Sequence, residues 1–551
     1  SAKGDEIAYF SDRTASSDAA HLSGIWRVSA LGGTPKLVGP LTDRNIELRR
    51  WSASGRIYYE LKKELYAMDP ASGATEKVTS IGRDDVAYIN VAADEKSLIY
   101  ALIQKDAWRI VTGSIGSDRT ADEIGGTGRL DEIIWLPEKK RVFYSSTVEG
   151  VLQAFVASPG AGAGTRITAS ETDASVVDAS PDGRSILFSS AKEESNLWRV
   201  SVADGAEAPV VRDRNSKLWP SVSPDDTRVA FQSEKNMSLG NHIWDSAIIL
   251  RALKQGTDNE PMTRLVENGF LPSWSPDGTM IAFLRDDAGK KDLFVVNPNG
   301  GSERKLSSGG ISTAGYSVSP YNYTQTGAFD WSPDGSTIAF AAEANGAPNV
   351  VLVNARDGTQ RILTDNADKA QSFGCPVFSP DGTQIAVMSR IAGAGGAKTE
   401  ARVRIIDTLS NSSSELALSV SNVRLLGWSA DAKGVIVAEA SKLSGLPPET
   451  VIKLIPIAGG GEKLVANLKN AYYYNIFLSN DRKLIAFAAR DADKDDLWVV
   501  PAAGGGTPRR LTNNNDTGLY YSRLEWLNDG SGIVFGKQTR FSLLSMVTDI
   551  D

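Results

Sequence analysis

One short phrase, Ser-Pro-Asp-Gly, recurs along the chain and restricts what it can fold into. Degenerate copies occupy the same position in the stretches between the full ones. Pro presets the φ of the second turn position, Asp bonds its own backbone, and Gly accepts a positive φ. The phrase therefore predicts a tight turn between two antiparallel strands. The full copies stand at residues 180–183, 275–278, 332–335 and 379–382.

The sequence after each phrase continues in a repeated order. An apolar strand follows the turn, then a polar loop, a third strand such as "DLFVV" or "DLWVV", and a fourth such as "RILT" or "RRLT". The shortest spacing between copies is 40 residues, from 54 to 94, and the longest is 57, from 277 to 334. Four short antiparallel strands in such a unit predict one blade of a β-propeller.

The repeat predicts an all-β fold of tandem β-propellers, with about twelve four-stranded blades in total. A propeller usually has about four to eight blades, so this number favours two rings of six over one ring. The predicted domains are residues 1–262 and 263–551, with the boundary near residues 255–268. A division into seven and five blades is the alternative.

Composition excludes several classes of protein. The net charge of -8 and the pI of about 5.2 argue against a nucleic-acid partner. A single cysteine, Cys375, excludes an intramolecular disulfide framework and a cysteine-based metal site. No apolar run is long enough to predict a membrane span, and no signal peptide is visible at Ser1.

The stretch "WSPDGTMIAFLRDDAGKKDLFVVNPNGGSERKLS", residues 274–307, resembles the TolB-like propeller repeats, also called WD40-like PD40 repeats. The resemblance is strong over residues 177–390 and again near residues 497–512, and it is weaker elsewhere. It is closest to the extracytoplasmic arrays of bacterial sensor kinases and regulators. The resemblance implies a bacterial protein of the periplasm or cell surface that binds a partner on a propeller face.

Motifs for catalysis and cofactor binding are weak. The two histidines, His21 and His242, fall in polar loops, and no G-x-S-x-G motif accompanies them, so no catalytic residue is assigned. Residues 393–399, "GAGGAKT", have Ala397 where a phosphate loop needs Gly, which favours a flexible hairpin loop. No cofactor is predicted.

Two groups of acidic residues resemble metal-binding patterns, but neither matches one. Residues 491–496, "DADKDD", lack the glycine and the final glutamate of a calcium loop, which favours a solvated turn. The aspartates of the turn phrase are interpreted as structural because the turn itself uses them. No metal site is predicted.

Aromatic and arginine residues concentrate where a fourth strand leads to the next first strand. In a propeller these loops gather on one face, and Tyr, Trp and Arg are enriched in binding hot spots. Packing between blades is the equally weighted alternative. The candidate binding residues are Arg212, Arg214, Trp219, Tyr321, Tyr323, Tyr473, Tyr520 and Tyr521.

Three functions fit these observations. The first is a non-catalytic binding scaffold for a protein, peptide or glycan. The second is a propeller hydrolase or lyase that uses carboxylates of its central channel. The third is a surface or filament protein that associates with itself.

Overall fold

The computed structural model consists almost entirely of β-strands. Its one helical element among the described residues is the short 3-10 turn Pro137–Lys139, so the all-β prediction is confirmed. No helix in this part of the chain is long and apolar enough to cross a membrane. The structure describes residues 5–11, 24–41, 46–81, 83–92, 94–104, 107–116, 120–148, 151–169, 173–180, 182–213, 215–234, 246–253, 261–287, 290–308, 310–311, 328–369, 371–391, 400–418, 423–442, 449–491, 494–516 and 519–550.

The first fifteen strands form sheets A to D in chain order. Neighbouring strands in each sheet are antiparallel, as hairpins joined by tight turns require. Sheet A has three strands, β1 (Glu6–Ser11), β2 (Gly24–Ser29) and β3 (Lys36–Pro40). Sheets B, C and D have four each: β4 (Ile46–Trp51), β5 (Ile57–Leu61), β6 (Glu64–Met68), β7 (Thr75–Ser80); β8 (Val86–Val91), β9 (Ser97–Gln104), β10 (Ala107–Ser114), β11 (Thr120–Thr127); β12 (Leu130–Leu136), β13 (Arg141–Val148), β14 (Val151–Ala157), β15 (Thr165–Arg166).

Five further four-stranded sheets, F to J, follow a first segment of a larger sheet E. That segment comprises β16 (Asp173–Ala179), β17 (Ile186–Ser201) and β18 (Glu207–Val211). Sheet F comprises β19 (Ser216–Val222), β20 (Arg228–Glu234), β21 (Ser246–Ala252) and β22 (Thr263–Glu267), and sheet G comprises β23 (Gly269–Trp274), β24 (Ile281–Asp287), β25 (Lys290–Val296) and β26 (Arg304–Lys305). Sheet H comprises β27 (Phe329–Trp331), β28 (Thr337–Ala344), β29 (Ala347–Asn354) and β30 (Gln360–Ile362), and sheet I comprises β31 (Gln371–Phe378), β32 (Gln384–Ile391), β33 (Glu400–Asp407) and β34 (Ser413–Ala417). Sheet J comprises β35 (Val423–Trp428), β36 (Gly434–Lys442), β37 (Glu449–Pro456) and β38 (Lys463–Lys469).

The last six strands complete the nine-stranded sheet E. They are β39 (Ala471–Leu478), β40 (Leu484–Asp491), β41 (Lys494–Pro501), β42 (Arg509–Arg510), β43 (Leu519–Trp526) and β44 (Gly532–Val547). One parallel pair, Lys494 with Leu519, links β39–β42 to the remaining strands. On its other side β44 pairs with β17, and β17 pairs with β18. We call β17, β18, β43 and β44 the closing strands.

The chain divides into two compact units, residues 1–192 with 541–551, and residues 193–540. The two longest strands, β17 and β44, contribute residues to both units. In the first unit, hydrophobic clusters lie between A and B, B and C, C and D, and D and β16–β17. Burial of apolar side chains between successive sheets is therefore the main force that holds this unit together.

In the second unit, the hydrophobic clusters of the described residues form a closed circuit. They join F to G, G to H, H to I, I to J, and J to β39–β42. One more cluster joins β39–β42 to the closing strands, and the last joins the closing strands back to F. Sheets F to J and two segments of sheet E, β39–β42 and the closing strands, thus pack in a ring of seven members, and strands from widely separated parts of the chain close it.

This division differs from the predicted one. The predicted boundary near residues 255–268 falls inside the second unit, where sheet F packs against neighbours on both sides. The turn phrase identifies hairpins, which are local, whereas closure depends on which distant strands pair. The total of about twelve blades stays a prediction.

Candidate binding face of the second unit

The turn phrase is a hydrogen-bonded structural unit, as predicted. The Ser332 hydroxyl donates to the Asp334 carboxylate at 2.6 Å, and that carboxylate also accepts from the backbone of Ser336 at 3.0 Å. The Thr337 amide donates to Ser332 Oγ at 2.9 Å. The Ser332 and Ser336 hydrogen bonds hold the pKa of Asp334 below its usual value. These aspartates therefore serve the turn and not an acidic ligand site.

Residues of "DADKDD" are buried and paired, which corrects the solvated-turn interpretation for Asp495 and Asp496. Asp496 accepts from the Thr512 hydroxyl at 2.9 Å and from the backbone of Asn514 at 2.8 Å. Asp495 accepts from Arg490 Nε at 2.7 Å and from the backbone of Tyr521 at 3.0 Å. Both side chains fix strands of sheet E. In the part of the chain that the structure describes, no group of three or more His, Cys, Asp or Glu could hold a metal.

An arginine lies between two half-buried tyrosines at one end of sheet E. The Arg490 guanidinium is 4.3 Å from the ring centre of Tyr520 and 5.7 Å from that of Tyr472. Tyr472 and Tyr520 stand near the starts of β39 and β43, and Arg490 near the end of β40. These ends coincide because β39, β40 and β41 are successively antiparallel and β43 pairs parallel to β41. We call Tyr472, Arg490, Asp495 and Tyr520 the arginine–tyrosine cluster.

The cluster is pre-organised. Asp495 contacts two nitrogens of Arg490, at 2.7 Å and 3.3 Å, which fixes the plane of the guanidinium. Burial opposes the charge of Arg490, but Asp495 outweighs it and holds the pKa of Arg490 above its usual value. The Arg490 side chain remains 28% exposed. A rigid cation with two aromatic faces is thus presented to solvent.

A second set of aromatic and cationic side chains lies on and beside the closing strands. Lys537 Nζ lies 4.5 Å from the ring centre of Trp198 and 5.8 Å from that of Tyr521, and it pairs with Glu207 at 2.8 Å. The guanidinium of Arg212 also lies over the Trp198 ring, 5.9 Å from its centre. The closing strands therefore carry a second set of aromatic and cationic groups, with Lys537 and Tyr521 on the face of β43 opposite to Tyr520.

The structure separates the predicted site residues into two groups. Tyr520 is half-buried and Arg212 is exposed, and both lie at this end of the second unit. Tyr521 and Trp219 are 2% and 5% exposed. Tyr521 packs edge-on against Phe535, with ring centres 5.0 Å apart, so packing is the role of its side chain. Trp219 stacks under the guanidinium of Arg523 at 4.3 Å.

Several predicted residues lie outside the described part of the chain. They are Tyr321, Tyr323 and Arg214, the two histidines His21 and His242, and the loop 393–399. Tyr473 belongs to β39, but its side chain is not described.

Arg490, Asp495 and Lys537 complete the site, and the sequence analysis missed them. Arg490 and Lys537 lie in second strands and Asp495 lies in the third strand β41, whereas the predicted residues lie in or beside the segments that lead from a fourth strand to the next first strand. A signal was available, because "AARDADKDD" places an arginine and several carboxylates where other second strands end.

Two half-buried carboxyls lie on innermost strands of the second unit. Asp330 of β27 accepts from the backbone of Phe378 at 2.8 Å, and burial raises its pKa to about 6. Glu525 of β43 accepts from the backbone of Val222, and burial raises its pKa to about 8. Each carboxyl bonds to the first strand of a neighbouring sheet, so each ties two sheets of the ring together.

Comparisons with known proteins agree with this architecture. The model of the dipeptidyl peptidase IV (DPP IV) N-terminal region matches residues 248–367. YidR of Escherichia coli is 33% identical over 116 residues, which are 21% of this chain and 24% of YidR. A TolB homologue of Chlorobium luteolum is 27% identical over 182 residues, 32% of this chain and 36% of that protein. The chain thus spans well under two thirds of these relatives.

Among solved structures, TolB from Acinetobacter baumannii is similar with a TM-score of 0.36 and 16% identity, covering 55% of this chain and 67% of that one. The tricorn protease is similar with a TM-score of 0.41 and 12% identity, covering 94% of this chain and 58% of that one.

The recurring four-stranded antiparallel sheets make the chain a β-propeller protein. Its repeated turn phrase and its likeness to the Chlorobium protein make it similar to the TolB-like β-propellers.

Proposed function

We propose that the chain is a non-catalytic binding scaffold that recognises a protein or peptide at the arginine–tyrosine cluster. The observation that carries the proposal is Arg490, held by Asp495 between Tyr472 and Tyr520 and still partly exposed. Aromatic and arginine side chains contribute most to protein interfaces. Aromatic rings bury much area while losing little rotamer freedom, and Asp495 already holds Arg490 in one orientation.

We also propose a location for the chain. The likeness to a TolB homologue supports an extracytoplasmic protein of a bacterium, in the periplasm or at the cell surface. Immunodetection in separated periplasmic, membrane and cytoplasmic fractions tests this proposal, and recovery in the cytoplasm alone would contradict it.

The test of the binding site compares three alanine variants. Tyr520→Ala should unfold at nearly the wild-type temperature yet lose partners that the wild-type chain captures from the native extract. Tyr66→Ala removes another half-buried tyrosine, in the first unit, and should keep those partners. Tyr521→Ala should lose about 3–5 kcal/mol of stability because it empties a packed site. An unchanged set of partners for Tyr520→Ala would refute the proposed site.

A second candidate function is a hydrolase or lyase, favoured by Asp330 and Glu525 on innermost strands with raised pKa values. Their backbone hydrogen bonds support the structural role instead. Asp330→Asn and Glu525→Gln would abolish turnover of a panel of glycan and peptide substrates if this second function were correct.

A further inference from the structure

Sheet A lacks the strand that comes first in the other eleven repeats of the turn phrase. In each of those repeats a first strand precedes the turn and pairs antiparallel with the second strand that follows it, as β23 pairs with β24. The sequence of β1, "EIAYFS", matches the second strands. Its Ile7 pairs with Val28 of β2, and Ile281 of β24 pairs with Val296 of β25 in the same way. Among the described strands, none pairs with the other edge of β1.

Ile7 is exposed because that first strand is missing. Its side chain is 53% exposed, whereas the residues at the same position of the other second strands are at most 5% exposed. Each of those residues pairs with an apolar residue near the end of a first strand, as Ile281 pairs with Trp274. They are Ile57, Leu98, Val142, Ile186, Val229, Ile281, Ile338, Ile385, Val435, Ile485 and Ile533. An exposed apolar edge of this kind recruits a further strand.

Trp51 of the neighbouring sheet B gives independent evidence for the same site. It ends the first strand of sheet B and packs against sheet A. At this position in three other repeats, the indole Nε1 donates to a first-strand carbonyl of the preceding sheet. The three bonds run from Trp331 to Ser273 at 3.3 Å, from Trp428 to Val377 at 2.9 Å and from Trp526 to Phe477 at 3.2 Å. Trp51 is half-buried and instead donates to Gly55 of its own turn at 3.2 Å, because no described first strand precedes it.

We infer that the free edge of β1 accepts an extended segment of another protein, which pairs antiparallel with β1 in the place of a first strand. Every described strand of this chain already belongs to a sheet, so the described part of the chain offers none for this edge. The first strands of the chain itself give the chemistry of the segment. It carries a large apolar residue opposite Ile7, and tryptophan is the commonest residue there. Backbone pairing gives such a complex its affinity, and the side-chain position gives its specificity.

The residue before that tryptophan should accept a hydrogen bond. Ser221, Asp330 and Glu525 hold this position in three first strands, and each accepts from a backbone amide of the next sheet's first strand. The amides are those of Trp274, Phe378 and Val222. In sheet B the corresponding amide belongs to Trp51. A segment with Ser-Trp, Asp-Trp or Glu-Trp therefore matches both β1 and sheet B.

The edge is short, which limits the strength of binding. β1 has six residues, so the paired segment buries less than the roughly 1,200 Å² of a stable interface. We therefore expect a weak and reversible complex. The inference concerns the first unit and does not depend on the binding face proposed for the second.

Calorimetric titration of the full chain with a synthetic peptide tests the inference. The peptide has the sequence of residues 326–333, "TGAFDWSP", in which Asp330 precedes Trp331. It should bind saturably, and the same peptide with Trp331→Ala should bind about tenfold or more weakly, because tryptophan contributes strongly to interfaces. Absence of saturable binding up to about 1 mM peptide would overturn the inference.

Variants of the chain locate the peptide on β1. Ile7→Asp should weaken binding about tenfold or more, because the charge faces the apolar residue of the peptide. Leu31→Asp is the matched control, since Leu31 is 99% exposed just after β2 of the same sheet, and it should bind like the wild-type chain. Trp51→Phe keeps the aromatic packing but removes the indole N–H, so it should weaken binding about two- to tenfold. Unchanged unfolding temperatures would show that the variants fold, and equal affinity of Ile7→Asp and wild type would contradict the inference.

Hydrogen exchange measured by mass spectrometry distinguishes the occupants of the edge. Amides of residues 6–11 should exchange rapidly in the chain alone and slowly with the peptide, because pairing protects them. Slow exchange without peptide would mean that the chain covers its own edge. Protection that rises with the concentration of the chain would assign the edge to a second copy, and protection of other strands alone would show a different site. Each of these three results would overturn the inference.

Discussion

Single residues of the turn phrase carry out distinct tasks, and the task of Gly278 is to adopt a positive φ. Its φ is +70°, and an added Cβ would meet only the Pro224 side chain, at 3.7 Å. The cost of a side chain at residue 278 is therefore backbone strain rather than collision. Gly278→Val should lose about 1–3 kcal/mol of stability, whereas Gly278→Asn should lose less, because asparagine tolerates a left-handed conformation. Denaturant midpoints of the two variants check this, and equal midpoints would contradict it.

Glu525 should make stability depend on pH. Burial raises its pKa to about 8 in the folded chain, above the value of about 4.3 for an unfolded glutamate. Between these values the folded state keeps a proton that the unfolded state has released. Stability therefore falls as pH rises from about 5 to about 8. Glu525→Gln keeps an acceptor for Val222 and removes this loss.

The measurement for Glu525 is urea unfolding at several pH values. The stability of Glu525→Gln relative to wild type should increase from about pH 5 to about pH 8. Asp334→Asn provides a control of opposite sign. The hydrogen bonds from Ser332 and Ser336 lower the pKa of Asp334, so its contribution is present at neutral pH and lost as pH falls. A parallel response of wild type and Glu525→Gln would refute the role of Glu525.

At the scale of elements, the copy of the turn phrase at residues 223–226 differs from the others at its last position, and the structure explains the difference. Asp226 stands where other copies have Gly, and its φ is +56°. Its carboxylate accepts from the backbone of Asn528 at 2.7 Å and of Asp529 at 3.0 Å, and from the Asn528 side chain at 3.0 Å. The strained backbone of Asp226 is thus offset by hydrogen bonds that join sheet F to the closing strands.

Asp226→Gly should consequently destabilise the second unit, although it restores the consensus of the repeat. Relief of the positive φ contributes about 1 kcal/mol, while loss of hydrogen bonds to a carboxylate costs about 1.5–3 kcal/mol each. Gly278→Asp is the reverse substitution in a copy of the phrase that has no such partners. A stabilised Asp226→Gly variant, measured by thermal unfolding, would show that these bonds contribute little.

The sequence predicted the strands and hairpins better than their assembly, because hairpins depend on neighbouring residues and assembly depends on residues far apart in the sequence. Hairpins such as β23–β24 are encoded by neighbouring residues, and the turn phrase, the alternation and the spacing all point to them. The contact of Asp226 with Asn528 joins residues 302 positions apart, and no local pattern announces it. The burial of Tyr521 could not be predicted from the sequence either. Tyr520 and Tyr521 are the same residue type, and only the pairing of β43 decides which of them faces the core.

At the scale of the whole molecule, closure of the second unit decides which fragments can fold. Residues 193–540 contain all seven hydrophobic clusters of the ring, including the parts of the closing strands that pack in them. A fragment 263–551, cut at the boundary predicted from the repeat, lacks most of sheet F together with β17 and β18. It would expose Trp274 and Phe283 on one side and Leu527 on the other, which the intact ring buries.

Expression of the two fragments as separate chains tests this account. Residues 193–540 should run as a compact monomer in size-exclusion chromatography and unfold in one sharp transition, because every sheet keeps both neighbours. Residues 263–551 should aggregate or unfold gradually, since large apolar side chains such as Trp274 lose their cover. The intact chain, treated in parallel, gives the reference transition. A sharp transition for 263–551 with a broad one for 193–540 would mean that the ring closes elsewhere, at the boundary between sheets F and G.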